Sequence, residues 1–400
     1  MSDATVDPRF KRTAPRRPLK LSWSDERVRA IFWQVLVVGI IGLIIWWLVS
    51  NTQRNLEVRR IATGFGFLQR EAGLPIAEHL IDYSPTDNYL RALMVGVLNT
   101  LKVAIVGIIL ATIFGTLIGI ARLSKNWLVS KIAGVYIEVI RDLPLLLQLL
   151  FWYTILQGLP GPRQALNPAS GVFLSNRGLL LPWIQWEGAH TAALLAMLVG
   201  AVLTWTYSKL MRAKQMQDGQ PRRVWPLGML LILGSPIAVW GLLGAPFTPD
   251  IPSLQGFNFR GGMVMSPEYF ALLVGLVTYT AGFIAEIVRA GIQSVQHGQW
   301  EAAQALGLKP GVVLKQIVLP QALRVIVPPM TSQYLNITKN SSLAVAIGYQ
   351  DIVSIANTTL NQTGQAIEGI AIIMAVYLSI SLSISLFMNW YNAKIALVER

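Results

Sequence analysis

Cysteine is missing from all 400 residues, which excludes disulfide scaffolding and thiol catalysis. Charge is scarce too: Asp, Glu, Lys and Arg make up 13% of the chain, half of the roughly 25% usual in a soluble domain. Histidine occurs three times, at His79, His190 and His297, with no companion at metal-ligand spacing. No GxxxxGK(S/T) run exists, so the chain has no phosphate-cradling loop of the P-loop kind. No period of 20 to 50 residues repeats along it.

What is present is apolar: 53% of the residues are hydrophobic. Runs of about 20 such residues are long enough to cross a bilayer core of roughly 30 Å, and the first is 31–49 (IFWQVLVVGIIGLIIWWLV). It follows thirty polar residues that carry Arg9, Lys11, Arg12, Arg16, Arg17 and Lys20, exceeds the h-region of a signal peptide and has no clean cleavage site after it. These features predict an uncleaved anchor. Hydropathy places eight spans near 31–49, 92–121, 134–157, 189–207, 227–245, 268–293, 323–346 and 367–391. The expected fold is therefore an all-α polytopic membrane protein.

The formal charge of +13 would suit nucleic acid, but the basic residues sit in loops beside spans, where they signal orientation instead. With the N-terminus inside, 22 Lys and Arg fall on inner segments and adjoining span ends, 8 on outer segments and three within spans. That bias predicts both termini in the cytoplasm. Trp152 and Tyr153, Trp183 and Trp186, and Trp390 and Tyr391 lie at expected span ends, as interfacial aromatics do. The organisation read from the chain is a cytoplasmic segment 1–30, an anchor 31–49, an outer loop 50–91, a core part 92–157, a Gly- and Pro-rich insertion 158–267 with two plain spans, a second core part 268–391 and a tail 392–400.

Within that second part, residues 294–322 form a polar-flanked loop on the expected cytoplasmic side. Residues 299–306 (QWEAAQAL) favour a short helix, stopped by Gly307 and kept from continuing by Pro310. Ala302, Ala303 and Ala305 would permit close approach of another backbone, Trp300 and Leu306 offer apolar anchors, and Glu301 offers one charge. Taken by itself, such a segment is commonly just a solvated amphipathic helix. The order Glu301-Ala302-Ala303, three residues, Gly307, nine residues, Ile317, one residue, Leu319, Pro320 resembles the coupling loop that membrane subunits of ATP-driven importers dock onto a separate ATPase.

Further stretches, 99–124, 138–153, 279–307 and 319–348, resemble the permease subunits of polar amino-acid ABC importers, the histidine, glutamine, glutamate and arginine group. The N-terminal extension and the insertion make the chain similar to the larger permeases of general L-amino-acid importers. The resemblance implies a type I importer-like transmembrane domain with an inserted helical pair, in a bacterial inner membrane. It implies as partners an ATPase that holds ATP and Mg, a second related permease, a periplasmic amino-acid-binding protein and L-amino-acid substrates. No cofactor is expected on this chain, and it makes or breaks no bonds itself. An ion-coupled secondary transporter and a purely structural membrane subunit are the competing readings.

Ionisable residues inside spans are costly and usually face a bundle interior or a pathway. Glu138, Arg141 and Asp142 share one face by i, i+3 and i, i+4 spacing, with Pro144 expected to kink the helix beyond them. Glu286 and Arg289 are again i, i+3; Lys339, Asn340, Ser341 and Ser342 interrupt the seventh span; Lys102 lies early in the second. A zwitterionic amino acid needs an anion for its ammonium, as Asp142 with Glu138 could supply. It needs a cation or hydroxyls for its carboxylate, as Lys339, Asn340 and Ser342 could supply. The bland alternative is that Glu138 with Arg141, and Glu286 with Arg289, neutralise each other. Gly107, Gly115 and Gly119 read as a small-residue helix contact.

Overall fold

The computed structural model describes residues 26–58, 63–220 and 223–395. The basic cluster from Arg9 to Lys20 and the last residues of the expected tail lie outside the described residues. Two compact units are present. In the first, α1 (Glu26–Val58) is a 33-residue helix whose apolar Val28–Asn55 stretch buries nothing, as a helix facing lipid on every side would.

The second unit begins with a 3₁₀ turn and a strap up to Asn88, then α2 (Tyr89–Arg122), α3 (Trp127–Asp142) and α4 (Leu145–Gln157). Next come β1 (Leu166–Ala169), β2 (Val172–Ser175), β3 (Gly178–Leu181) and β4 (Trp183–Ile184), and then α5 (Gly188–Asp218) and α6 (Trp225–Met229). A π-helical turn Leu230–Gly234 leads into α7 (Ser235–Leu242), followed by β5 (Pro249–Asp250), β6 (Ser253–Gln255), β7 (Asn258–Arg260) and β8 (Met263–Met265). The remainder is α8 (Pro267–Gln293), α9 (His297–Ala305), α10 (Pro310–Val313), α11 (Leu319–Asn340), α12 (Ile352–Thr363) and α13 (Ala366–Ile395). Seven stretches of described residues are long and apolar enough to cross a membrane, and one bent pair makes a possible eighth.

That bent pair lies in the span expected over 134–157 and breaks where Pro144 was expected to kink it. α3 and α4 meet at 105°. The cause is Pro144: the residue before a proline is pushed out of the helical region, and Leu143 accordingly sits at φ −90°, ψ 131°. The break frees carbonyls, and Gln148 Nε2 answers two of them, Ile140 O at 3.0 Å and Leu143 O at 3.1 Å. A helix end inside a membrane protein needs such a partner.

Residues 158–267 hold more than two plain spans. β1, β2, β3 and β8 form an antiparallel sheet in that order, and β4 pairs with β5, so the strand entering α5 is tied to the strand leaving α7. The α5–α7 hairpin closes on itself: a Cβ at Gly200 would strike Leu231 O, and Ser235 Oγ donates to Ala196 O at 3.1 Å. With two to four residues each, these strands are too short to show a period in the sequence.

The spine is α2 crossing α8. A Cβ at Gly115 would lie 2.6 Å from Ile284 Cβ, and one at Gly119 would lie 2.7 Å from Ala285 O. Helices in lipid gain nothing by hiding apolar faces, so close backbone contact of this kind is what holds them. α8 starts sharply, with Ser266 capping Tyr269 N at 3.1 Å and Pro267 in the first turn. Replacing Gly119 by Val is expected to cost about 1–3 kcal/mol or more by overpacking, read as a lower unfolding temperature in detergent. Gly39→Val, on α1 with open space around it, is the control and should shift little.

Candidate coupling surface and membrane-embedded charges

α9 is the short helix expected at 299–306, running from His297 to Ala305. Gly307 ends it at φ +71°, a conformation costly to any residue with a Cβ. Gly307 N donates to Gln304 O at 2.8 Å and Leu308 N to Ala303 O at 3.3 Å, the paired bonds of a Schellman stop. Its inner side is fused to the body of the protein: Ala303 is buried, and Trp300 and Leu308 pack against the buried cluster that includes Val295, Val313 and Val318. Its outer side is free, with Glu301, Ala302 and Ala305 exposed and Leu306 77% exposed.

Two sequence expectations change here. Ala303 faces the protein's own core and offers no approach to another backbone, and Trp300 is a half-buried peg into that core more than an outward anchor. Glu301 already pairs with His297 Nδ1 at 3.0 Å, one turn earlier. Leu319 and Pro320 remain exposed at the start of α11. Between them and α9, α10, the π-turn Leu314–Val318 and α11 run on without a break, so the loop joins the next span as one helical rod.

The charges meant for a pathway are not gathered into one site. Glu138, Arg141 and Asp142 are exposed at the end of α3, beside the bend. No ion pair joins Glu138 to Arg141, which corrects the mutual-neutralisation reading for that pair; the Arg141 guanidinium instead lies 5.2 Å from the Phe283 ring. Glu286 and Arg289 do pair, through two hydrogen bonds on α8, and Arg289 Nη1 also reaches Gln293 Oε1 at 2.5 Å. The Lys339 cluster splits at the end of α11. Lys339 is exposed, Ser342 Oγ turns back to Lys339 O at 2.8 Å, and Ser341 is buried with its Oγ 2.7 Å from Thr338 O.

A cavity of about 370 Å³ opens at the end of the bundle where α11 begins, lined mainly by apolar side chains such as Ile120, Val288, Leu319 and Met330, with Thr112 bonded to Tyr334 at 3.0 Å. Among the described residues no group of three His, Asp or Glu gathers as a metal site would.

The sequence reading passed over two groups. Glu78, in the strap, pairs with Lys102 at 2.8 Å. Asp351 is wholly buried before α12, its Oδ1 accepting from Ser354 N at 2.9 Å and its Oδ2 from Tyr377 at 3.4 Å; burial pushes its carboxyl up to about 6. Neither announces itself by period or spacing. The one signal for Glu78 is a carboxylate 24 residues ahead of an intramembrane lysine.

Residues 215–397 match the family described as binding-protein-dependent transport system inner membrane component. Over 383 residues the chain is 53% identical to YhdX of Escherichia coli (strain K12), whose name assigns it provisionally to the amino-acid ABC transporter permeases; the match covers 95% of this chain and 97% of that protein. The chain belongs to this family of inner-membrane permeases. It is also 49% identical to the general L-amino acid transport system permease protein AapQ of Rhizobium johnstonii, over 94% of each chain. A third relative is the glutamate/glutamine/aspartate/asparagine transport system permease protein BztB of Rhodobacter capsulatus, 43% identical over 94% of this chain and 96% of that one.

Two expectations follow for the permease. Gly307→Val forces a branched residue into the left-handed region at a cost of about 1–2 kcal/mol, so α9 should lose its stop and the 297–309 segment should become more sensitive to protease, with Gly307→Asn milder. Asp351 has a raised folded pKa, so its contribution is complete below the ordinary carboxylate value of 3.8 and is lost as pH rises through about 6. Asp351→Asn, which mimics the protonated form, should gain on the wild type by about 1–1.5 kcal/mol between pH 5 and pH 8, measured as thermal unfolding against pH.

Proposed function

We propose that the permease admits L-amino acids, and that its motion is driven by ATP hydrolysed with Mg on a separate ATPase chain docked on α9. The names of AapQ and BztB support the substrate class. A second, related permease would complete the passage, and a periplasmic amino-acid-binding protein would deliver substrate to it. Both termini would lie in the cytoplasm, on the same side as α9.

One observation carries the reading: Leu306 stands 77% exposed beside a sharply stopped helix whose other face is built into the core. A large apolar side chain held out on a rigid base fits insertion into a partner's groove. A push on α9 would pass through the rod from α10 to α11, so closure of the ATPases would turn the inward-open bundle outward in alternating access. Glu138, Arg141, Asp142, Glu286, Lys339, Asn340, Ser341 and Ser342 remain proposals for the passage, with Ser341 already engaged inside the bundle.

The test is uptake of a panel of labelled amino acids into vesicles holding the whole complex. Uptake should require ATP and the ATPase chain, and Leu306→Asp should weaken ATPase binding by about 2 kcal/mol, roughly thirtyfold. Full uptake without the ATPase would overturn the proposal.

A further inference from the structure

At the end of the bundle where α2 and α8 begin, opposite the coupling loop, the strap is stitched down by Glu78. Its Oε2 takes Lys102 Nζ at 2.8 Å, its Oε1 takes Ser266 N at 2.7 Å, and its carbonyl accepts from Asn99 Nδ2 at 2.9 Å. The Lys102 ammonium also lies 4.0 Å from the centroid of the Tyr269 ring. A carboxylate and an aromatic face are the two groups that best hold an alkylammonium away from bulk water. This corner of the protein thus already binds one primary amine, its own.

A cavity of about 170 Å³ adjoins it, bounded by Glu78, Asn99, Glu268, Tyr349 and Gln350 among others. Two of the polar atoms on its lining residues are not satisfied from within. Asn99 is 1% exposed and its Oδ1 has no hydrogen-bond partner; Tyr349 is 2% exposed and its hydroxyl has none. Groups buried this deeply without partners are costly. Glu268 is in no ion pair and receives one hydrogen bond, from the Tyr153 hydroxyl at 3.2 Å. Two carboxylates, one of them held by Lys102, thus border one cavity, with unpaired polar atoms beside them.

We propose that this cavity receives the zwitterionic head of an α-amino acid by exchange with the internal ion pair. The substrate ammonium takes Glu78 and Glu268, and the displaced Lys102 takes the substrate carboxylate. The exchange turns one ion pair into two and buries no net charge, which avoids the main penalty of moving charges out of water. It also removes one tie between the strap and α2 and leaves the Asn99 bond to the Glu78 carbonyl, so arrival of substrate loosens the outer end of the bundle. The inference rests on the amino-acid reading of the preceding section.

The test is equilibrium binding of labelled L-glutamine, or the most rapidly imported member of the uptake panel, to the purified whole complex without its binding protein. Glu268→Gln leaves the Glu78–Lys102 pair in place, and it should weaken binding at least about fivefold; Glu78→Gln and Lys102→Met should each weaken it at least about tenfold. The double exchange Glu78→Lys with Lys102→Glu restores an ion pair but moves one carboxylate off the cavity wall that it shares with Glu268, so it should restore assembly and not binding. Wild-type binding in all four variants, or binding restored by the exchange, overturns the inference alone. A wild-type complex that neither binds nor imports any amino acid overturns the underlying reading and the inference with it.

Discussion

The close crossing of α2 on α8 is the constraint that the rest of the second unit obeys. Gly115 and Gly119 let the α2 backbone come within reach of Ile284 and Ala285, and no larger residue fits there without displacing main chain. In lipid this contact has no hydrophobic gain to draw on, so its strength lies in dispersion between closely fitted atoms. A stiff two-helix spine results. One of its ends carries the strap with Glu78 and Lys102, and the other runs into the 294–322 loop.

The remaining core helices add to that spine with similar devices. Leu149 of α4 fills the space left at Gly275, and Ile326 of α11 fills the space at Gly291, so α8 receives a neighbour on both its outer and its inner half. Pro144 matters for the same reason: it ends α3 while that helix lies on α8 near Gly282, and it turns α4 by 105° so that Leu149 can reach Gly275. A straight helix would leave one of the two contacts unmade.

Much of this was legible in the chain. Long apolar runs announce helices because backbone groups in lipid must be satisfied internally, and the glycine spacing in α2 announced a packing seam. Gly307 was readable because a short polar helix needs a residue tolerant of positive φ at its end. What escaped detection was long-range or small. The pairing of Glu78 with Lys102 depends on how a loop folds back over the bundle. The strands of 166–265 are shorter than any period that could reveal them. The facing of Ala303 and Trp300 was misjudged because a nine-residue helix with little amphipathic contrast does not say which side the protein keeps for itself.

The π-turn at Leu314–Val318 bears on how the proposed push on α9 would travel. A π-turn widens a helix by one residue per turn and is poorly packed at its axis, so it is a softer joint than the α-helix on either side. Here it lies between α10, which touches α9 through the Val313 cluster, and α11, whose Ile326 seats on the spine at Gly291. Force on α9, as proposed, would therefore meet a rod that is anchored at both ends and softer in the middle. The joint would let α9 tilt while Ile326 stays seated, until the tilt exceeded what one loose turn can absorb. Beyond that point α11 would have to move with it, and because α11 carries Tyr334 bonded to Thr112 of α2, the displacement would reach the spine itself.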